Sequence, residues 1–148
     1  MLTLDLVTPA NYEESLALKV SEDQEHLIAP MVNSLADAFV WKAEPRVAIE
    51  EGRLVGFVMV FPFTLDDTPV VNIVRFLIDA GHQSRGLGRQ LMGATIDLIG
   101  SLEPRPVRVR ISTFPENERA LSLYRSTGFE GSDIEAGEVV LWRDVAPA

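Results

Sequence analysis

Residues 85–89, with the sequence RGLGR, combine two glycines and two arginines between a predicted strand and a predicted helix. An apolar, β-branched run at 70–78 precedes them, and apolar residues recur at helical spacing over 87–102. A glycine turn in this position leaves backbone N–H groups free at the positive end of the helix, where anions bind. The two arginines repel each other and the helix dipole, and a bound polyanion would relieve that repulsion. The alternative interpretation is a solvated basic face on an ordinary glycine turn.

The spacing of these residues excludes two common nucleotide motifs. A nucleotide P-loop requires Lys and then Ser or Thr after its last glycine, whereas Arg89 follows Gly88 here. A dinucleotide fingerprint requires Gly or Ala at its sixth position, where this chain has Leu91. The pattern Gln83-x-x-Gly86-x-Gly88 instead resembles the acetyl-CoA pyrophosphate loop of the GNAT N-acetyltransferase superfamily, Arg/Gln-x-x-Gly-x-Gly/Ala.

A second and stronger resemblance covers residues 117–129. Their sequence, NERALSLYRSTGF, is similar to the superfamily's Asn-x-x-Ala-x-x-Leu-Tyr-x-x-x-Gly-Phe helix at every marked position. Two shorter segments, 20–24 and 75–79, resemble the bacterial spermine/spermidine acetyltransferase branch. The chain therefore resembles a GNAT enzyme along nearly its whole length.

The fold expected from this resemblance is a single α/β domain of the GNAT type over residues 1–148, with a mixed central sheet and helices on both faces. The apolar patterns agree with the superfamily's order β-α-α-β-β-β-α-β-α-β. Strands are predicted over 2–7, 45–50, 54–61, 70–78, 107–112 and 138–142. Helices are predicted over 8–20, 25–39, 87–102 and 117–127, with Pro30 kinking or delaying the second. A loop rich in turn formers is predicted over 61–69.

Acetyl transfer from a thioester to an amine requires a bound cofactor, a neutral amine, a stabilised oxyanion and a proton for the leaving thiolate. Backbone N–H groups of 85–89 are predicted to hold the pyrophosphate, because glycines allow close backbone approach. The resemblance implies that the end of the strand pairs with the pantetheine arm and polarises the thioester carbonyl. It also implies a hydrogen bond from Asn117, which could equally be a simple N-cap. The predicted cofactor-binding residues are Leu77, Ile78, Gln83, Ser84, Arg85, Gly86, Leu87, Gly88, Arg89 and Asn117.

Tyr124 is the predicted general acid, because a phenol is protonated at pH 7 and can donate to a thiolate as it forms. The alternative is a core aromatic side chain that packs against Phe129 and Leu121. The motif that surrounds Tyr124 favours the catalytic role.

The general base is not identifiable from the sequence. A primary amine arrives mostly protonated, and the candidate bases, each with the alternative of a surface carboxylate, are Glu50, Asp66, Asp67 and Asp79. Negative charge for a cationic acceptor could come from Glu22, Asp23, Asp66 and Asp67.

Composition narrows the remaining classes of function. The chain has no cysteine, which excludes disulfides, thiolate nucleophiles and Cys-ligated zinc, and its two histidines have no metal-ligand spacing. A formal charge of −9 argues against nucleic acid as a partner, although it could simply favour solubility. Without a signal-like N-terminus or an apolar run long enough to cross a bilayer, the chain is predicted to be cytoplasmic, with no membrane partner.

The predicted function is transfer of an acetyl group from acetyl-CoA to a primary amine by direct attack in a ternary complex, without a metal. A small cationic, polyamine-like acceptor is favoured, and an antibiotic, an amino acid or a protein N-terminus stays open. The rival classes are a non-catalytic CoA-binding regulatory module and a plain interaction domain. An exposed edge near the C-terminal strand could pair two protomers as a homodimer.

Overall fold

The computed structural model describes the whole chain, residues 1–148, as a seven-stranded sheet between two layers of helices. The strands are β1 (Thr3–Leu6), β2 (Glu44–Glu50), β3 (Arg53–Leu65), β4 (Thr68–Ile78), β5 (Val107–Thr113), β6 (Glu130–Glu135) and β7 (Glu138–Val145). The helices are α1 (Tyr12–Ser15), α2 (Met31–Trp41), α3 (Leu87–Leu102) and α4 (Glu118–Ser126), with 3₁₀ segments at Glu22–Leu27 and Ala80–His82. This confirms the predicted α/β class and, apart from the additional strand β6, the predicted order of elements.

Three pairs of antiparallel strands are each connected by a two-residue turn in which both residues have a positive φ. Turns of this type match the twist of the strands that they connect. The three turns are Glu51-Gly52, Asp66-Asp67 and Ala136-Gly137. The predicted loop over 61–69 is wrong, because β3 and β4 continue to within two residues of each other. Pairing between β2 and β3 ends at Val60, so Pro62 occupies a part of β3 that is paired on one side only.

The helices cover opposite faces of the sheet, as predicted. A cluster of 20 buried residues includes Leu91 and Ile99 of α3 and Leu121 of α4. A second cluster of 7 buried residues includes Met31 and Ala38 of α2, on the other face. No helix of the fold combines the length and apolarity that crossing a bilayer requires.

Two predicted helices and one missing strand require correction. The helix predicted over 8–20 is only Tyr12–Ser15, and the one predicted over 25–39 begins at Met31. Pro30 is the N-cap of α2, which confirms the delayed start and excludes the kink, because proline lacks the N–H that a helix interior needs. Strand β6 was not predicted, because all six of its residues are exposed and show no apolar alternation.

The sheet separates between its two parallel strands. Strand β4 pairs with β5 over only four residues, from Val70 with Arg108 to Ile73 with Ile111. Beyond Ile73 the two strands diverge, and the gap that they leave lies next to the N-terminus of α3.

Candidate active site

A cavity of about 680 Å³ opens where β4 and β5 diverge, within the usual range for small-molecule sites. The loop 82–89, the start of α4 and the 3₁₀ segment 22–27 contribute to its walls. Tyr124 lines the cavity, and so do all the predicted cofactor-binding residues except Arg85. The fold therefore brings together residues that lie up to 47 positions apart, from Leu77 to Tyr124.

The loop before α3 has the backbone of an anion site. Gly86 is the N-cap of α3 and has a φ of +74°, in the left-handed region that glycine adopts without strain. The first helical hydrogen bond runs from the Gln90 N–H to the Gly86 carbonyl, and no backbone N–H of 85–89 has an acceptor in the protein. Free N–H groups at a helix N-terminus form a cradle for a phosphate.

Gly88 lacks a side chain for a different structural reason. A Cβ built at Gly88 would lie 3.1 Å from the Cδ2 of Leu123 on α4, which is tighter than ordinary van der Waals contact. The missing side chain therefore lets α3 and α4 approach each other beside the loop, in addition to any access it allows a phosphate.

The two arginines of the loop do not oppose each other, which differs from the repulsion expected from their spacing. Arg85 donates to the Glu50 Oε1 at 2.9 Å and to the His82 Nδ1 at 3.2 Å, so its charge is paired outside the cavity. Arg89 donates to the Ser126 Oγ at 2.9 Å and has no carboxylate partner. Of the two side chains, only that of Arg89 is available to an anion in the cavity.

A third arginine, Arg119, supports the loop and was missed by sequence reasoning. It donates to the Ser84 Oγ at 2.9 Å and to the Gln83 Oε1 at 3.4 Å, and it lines the cavity without a carboxylate partner. Gln83 in turn donates to the Ile78 carbonyl at 3.0 Å and to the Gln24 Oε1 at 3.2 Å. Arg119 occupies a variable position of the motif at 117–129, so its role has no signal in the sequence.

A β-bulge redirects the end of β4 along the cavity. Phe57 pairs with Leu77 but Met59 pairs with Val74, so two residues of β4, Arg75 and Phe76, face one residue of β3. Arg75 has a φ of +54°, a conformation that costs about 1–2 kcal/mol for a residue with a side chain. Nothing in the sequence indicates this bulge.

A contact to α2 holds the strained residue of the bulge. The Nη2 of Arg75 donates to the Asp37 Oδ2 at 2.7 Å. The Nε of Arg75 is buried without a partner. The bulge is therefore braced from the helix layer opposite α3 and α4.

The backbone of Leu77 and Ile78 is open toward β5. Both residues pair with β3 on their other side, but the ladder with β5 has already ended at Ile73. Apart from the Ile78 carbonyl, which Gln83 occupies, backbone groups on this side are free for an extended ligand. This is the arrangement that the resemblance implies for the pantetheine arm.

Asn117 is the N-cap of α4, which confirms one of its two predicted roles. Its Oδ1 accepts from the Ala120 N–H at 3.3 Å, and its Nδ2 donates to the Thr113 Oγ1 at 3.2 Å. The side chain joins the end of β5 to the start of α4 and still lines the cavity. Its hydrogen bond to the cofactor arm stays a prediction.

Tyr124 belongs to both the core and the cavity. Its ring packs edge-to-face on Phe76 at 5.8 Å between centroids and lies 6.3 Å from Phe129, and the residue is 5% exposed. Burial raises the pKa of the Tyr124 phenol well above its ordinary value, and the charge of Glu138 raises it further. The phenol therefore holds its proton firmly at neutral pH, while its role as an acid stays a prediction.

The carboxylates proposed from the sequence lie outside the cavity. Asp66 and Asp67 form the tip of the β3–β4 hairpin, twelve and eleven residues before Ile78, or about 35 Å along β4. Glu50 pairs with Arg85, and Asp79 accepts from the N–H groups of Lys19 and Gly81.

Glu22 and Asp23 are exposed on the 3₁₀ segment 22–27, at the edge of the cavity but not in its lining. The one acidic side chain that does line the cavity is Glu138, at the start of β7. No group of three or more acidic or histidine side chains is placed to hold a metal ion.

Comparison with known proteins agrees with this geometry. Residues 10–129 match the model of the acetyltransferase (GNAT) family. The spermine/spermidine N(1)-acetyltransferase of Bacillus subtilis (strain 168) is 33% identical over 134 residues, which cover 87% of this chain and 88% of that protein.

Solved structures share the fold. A GNAT family acetyltransferase from Elizabethkingia anophelis with acetyl-CoA bound has a TM-score of 0.68 at 18% identity, over 97% of this chain and 98% of its own. An aminoglycoside acetyltransferase in complex with coenzyme A has a TM-score of 0.76 at 18% identity, over 96% of this chain and 93% of its own.

Proposed function

This chain belongs to the GNAT family of acetyltransferases, and we propose that its acceptor is a small cationic amine of the polyamine class. It is an acetyl-CoA-dependent N-acetyltransferase, with acetyl-CoA as its co-substrate. The observation that carries the acceptor class is the 33% identity to a spermine/spermidine N(1)-acetyltransferase over most of both chains. A formal charge of −9 supports it, because an acidic protein attracts a polyammonium ion.

The pyrophosphate of acetyl-CoA is proposed to bind at the cradle formed by 85–89. Five backbone N–H groups without acceptors, the start of α3 and the unpaired charges of Arg89 and Arg119 all favour a polyanion there. The pantetheine arm is proposed to extend along the open edge of β4 at Leu77 and Ile78.

The amine is proposed to attack the thioester directly, in a ternary complex. The chain has no cysteine to form an acyl-enzyme, and the cavity reaches both faces of the sheet through the gap between β4 and β5. Backbone donors near the bulge at Arg75 would stabilise the oxyanion as it forms, the device that is worth most in acyl transfer.

Tyr124 is proposed to donate to the sulfur as the carbon–sulfur bond breaks. A thiol has a pKa of about 8.5, so full proton transfer from a phenol of much higher pKa is uphill. A hydrogen bond from the phenol nevertheless lowers the energy of the thiolate as it develops. We therefore assign Tyr124 this hydrogen bond first, and proton delivery as the thiolate leaves.

The test is release of free thiol from acetyl-CoA with a panel of amines: spermidine, spermine, lysine, an aminoglycoside and a peptide with a free N-terminus. Turnover that is fastest with the polyamines is the expected result. Faster turnover with the aminoglycoside or the peptide would move the acceptor to that class. Binding of CoA without turnover of any amine would favour a regulatory module on the same fold.

A further inference from the structure

We propose that Glu138 binds the reacting ammonium of the acceptor and accepts its proton, a role that rests on the proposed function. Glu138 is the only acidic side chain among the residues that line the cavity. The other charged or titratable groups of the lining are His26, Arg75, His82, Arg89, Arg110, Arg119 and Tyr124. A cavity with this lining suits the phosphates of the cofactor, and it offers a cationic amine a single anionic partner.

Glu138 is held in place but is not neutralised by a cation. Its Oε1 accepts a hydrogen bond of 3.3 Å from the Ser112 Oγ, and it takes part in no ion pair. The guanidinium of Arg110, which lies on the same face of the sheet and also lines the cavity, is bound instead to the Glu135 Oε2 at 2.7 Å and to the Asn72 Oδ1 at 3.5 Å. The negative charge of Glu138 is therefore free for an ammonium.

Strand alternation places Glu138 on the face of the sheet opposite the cofactor loop. Val109 and Ile111 of β5 belong to the core beneath α3, so Arg110 and Ser112 point to the other face. Because Ser112 donates to Glu138, this carboxylate lies on that other face too. The cofactor loop and Glu138 thus approach the gap between β4 and β5 from opposite sides, as two substrates of a direct transfer must.

The remaining basic side chains around the cavity have partners or lie at the loop 82–89. Arg75 is paired with Asp37, and the His26 Nε2 is 3.7 Å from the Glu116 Oε1. Arg89, Arg119 and His82 belong to the loop and its support. The charge of Glu138 also raises the pKa of the Tyr124 phenol, after burial as the larger cause, so the two groups share one electrostatic environment.

The acceptor ammonium gives one proton to the Glu138 carboxylate, and the neutral nitrogen forms its bond to the thioester carbon. The carbon–sulfur bond breaks, its electron pair leaves on the sulfur, the sulfur takes the proton of the Tyr124 phenol, and the second nitrogen proton restores that phenol. Glu138 then releases its proton to water, so that the reaction yields the amide, free CoA and one proton.

The experiment compares Glu138→Gln with the wild-type protein, using spermidine over pH 6–10. Glutamine keeps the shape and can still accept from Ser112, so CoA affinity is expected to stay unchanged. Without the base, kcat/KM for spermidine is expected to fall about 10²–10⁴-fold at pH 7. Only amine that is already neutral then reacts, so the variant's kcat/KM should rise about tenfold per pH unit below the amine pKa, near 10.

Two further variants serve as controls. Asp144→Asn removes the same charge from the same strand, at a carboxylate whose side chain is 86% exposed and lies outside the cavity, and it should behave as wild type. Glu138→Asp keeps a carboxylate and should recover part of the activity, with the wild-type dependence on pH.

Different failures have different meanings. A defect in Glu138→Gln that is equal at every pH, or no defect at all, would overturn the role of Glu138 while the acetyltransferase function stands. Wild-type protein that turns over no polyamine would overturn the proposed acceptor class, and the role of Glu138 with it.

Discussion

The two helix layers differ in the size of the core that they cover. On one face, α3 is 16 residues long and packs with α4 on a core of 20 buried residues. On the other face, α1 and α2 are 4 and 11 residues long, and the buried cluster there has 7 residues. The first layer carries the loop 82–89, and residues of the segment 20–29, which connects α1 to α2, line the cavity. Side-chain hydrogen bonds join this side of the sheet to the site at Gln24, which contacts Gln83 of the loop, and at Asp37 of α2, which contacts Arg75 of the β4 bulge. On the surface of α2, Phe39 and Trp41 are 88% and 62% exposed.

With acetyl-CoA bound at the loop 82–89, as proposed above, this difference would let one fold keep a common cofactor and change its acceptor. A long helix in a large core holds backbone N–H groups in fixed positions, which a phosphate cradle requires. Short helices held by a few polar contacts can change in sequence without loss of the main core. We expect the two layers to respond differently to mutation, and the following predictions test that difference in order of decreasing effect.

The largest contrast is expected in stability. Leu91→Ala removes a fully buried side chain of α3, and we expect a loss near the upper end of about 2–5 kcal/mol in the free energy of unfolding. Leu18→Ala removes a buried side chain next to the short α1. We expect its loss of unfolding free energy near the lower end of that range, because this segment can relax into the space that the substitution leaves. Equal losses in urea denaturation would remove the distinction between the layers.

The next effect concerns Tyr124, at the centre of the α3–α4 layer. Tyr124→Phe keeps the packing on Phe76 and Phe129 but removes the hydroxyl, so kcat is expected to fall about 10²-fold. The affinity for CoA, measured by calorimetry, should not change. A kcat within threefold of wild type would leave Tyr124 as a core aromatic residue only.

A change at the loop should act on cofactor binding. Gly86→Val forces a β-branched residue to a φ of +74°, which costs about 1–2 kcal/mol and is expected to weaken CoA binding about tenfold. Gly93→Ala, within α3 and with open space at its Cβ, is the matched control and should slightly stabilise the protein. Retention of CoA affinity in Gly86→Val would argue against a backbone cradle.

A smaller effect is expected at Arg119. Arg119→Ala removes two hydrogen bonds to the loop, and the KM for acetyl-CoA should rise about two- to tenfold, because the bonds are exposed to solvent. Arg125→Ala on the same helix removes a bond to the Gly131 carbonyl, far from the loop, and should leave the KM unchanged. Similar effects of both variants would point to the stability of α4 instead.

The last predicted effect is a loss of stability at high pH that depends on the Tyr124 phenol and is absent at neutral pH. The pKa of Tyr124 is raised in the folded state, so the folded protein holds this proton more tightly than the unfolded chain. Its contribution to stability is complete below about pH 10 and is lost as the pH rises toward the folded pKa. Wild-type protein should therefore lose more stability than Tyr124→Phe between pH 9 and 11, as measured by thermal melting. Parallel melting curves would contradict this.

Sequence patterns were most reliable where local and core preferences agree. The run 70–78 and the helix 87–102 are apolar on the faces that the core buries. The spacing of their apolar residues therefore predicted the strand and the helix, and the glycines between them predicted the loop. The motif at 117–129 likewise predicted α4 and its Asn117 cap. Where burial is slight, as in β6 or the short α1, the same patterns failed, because exposed positions impose no period.

The amino-acid sequence by itself therefore determined most of the elements, the glycine turn before α3 and the place of Tyr124 on α4, because each depends on residues that are neighbours in the chain. Only the tertiary structure decided which charges meet at the cavity. It paired Arg85 with Glu50, moved Asp66 and Asp67 to a distant hairpin tip and placed Glu138 beside Ser112. Contacts of this kind follow from sheet register and strand divergence, which set the distance between residues far apart in sequence and have no local signature.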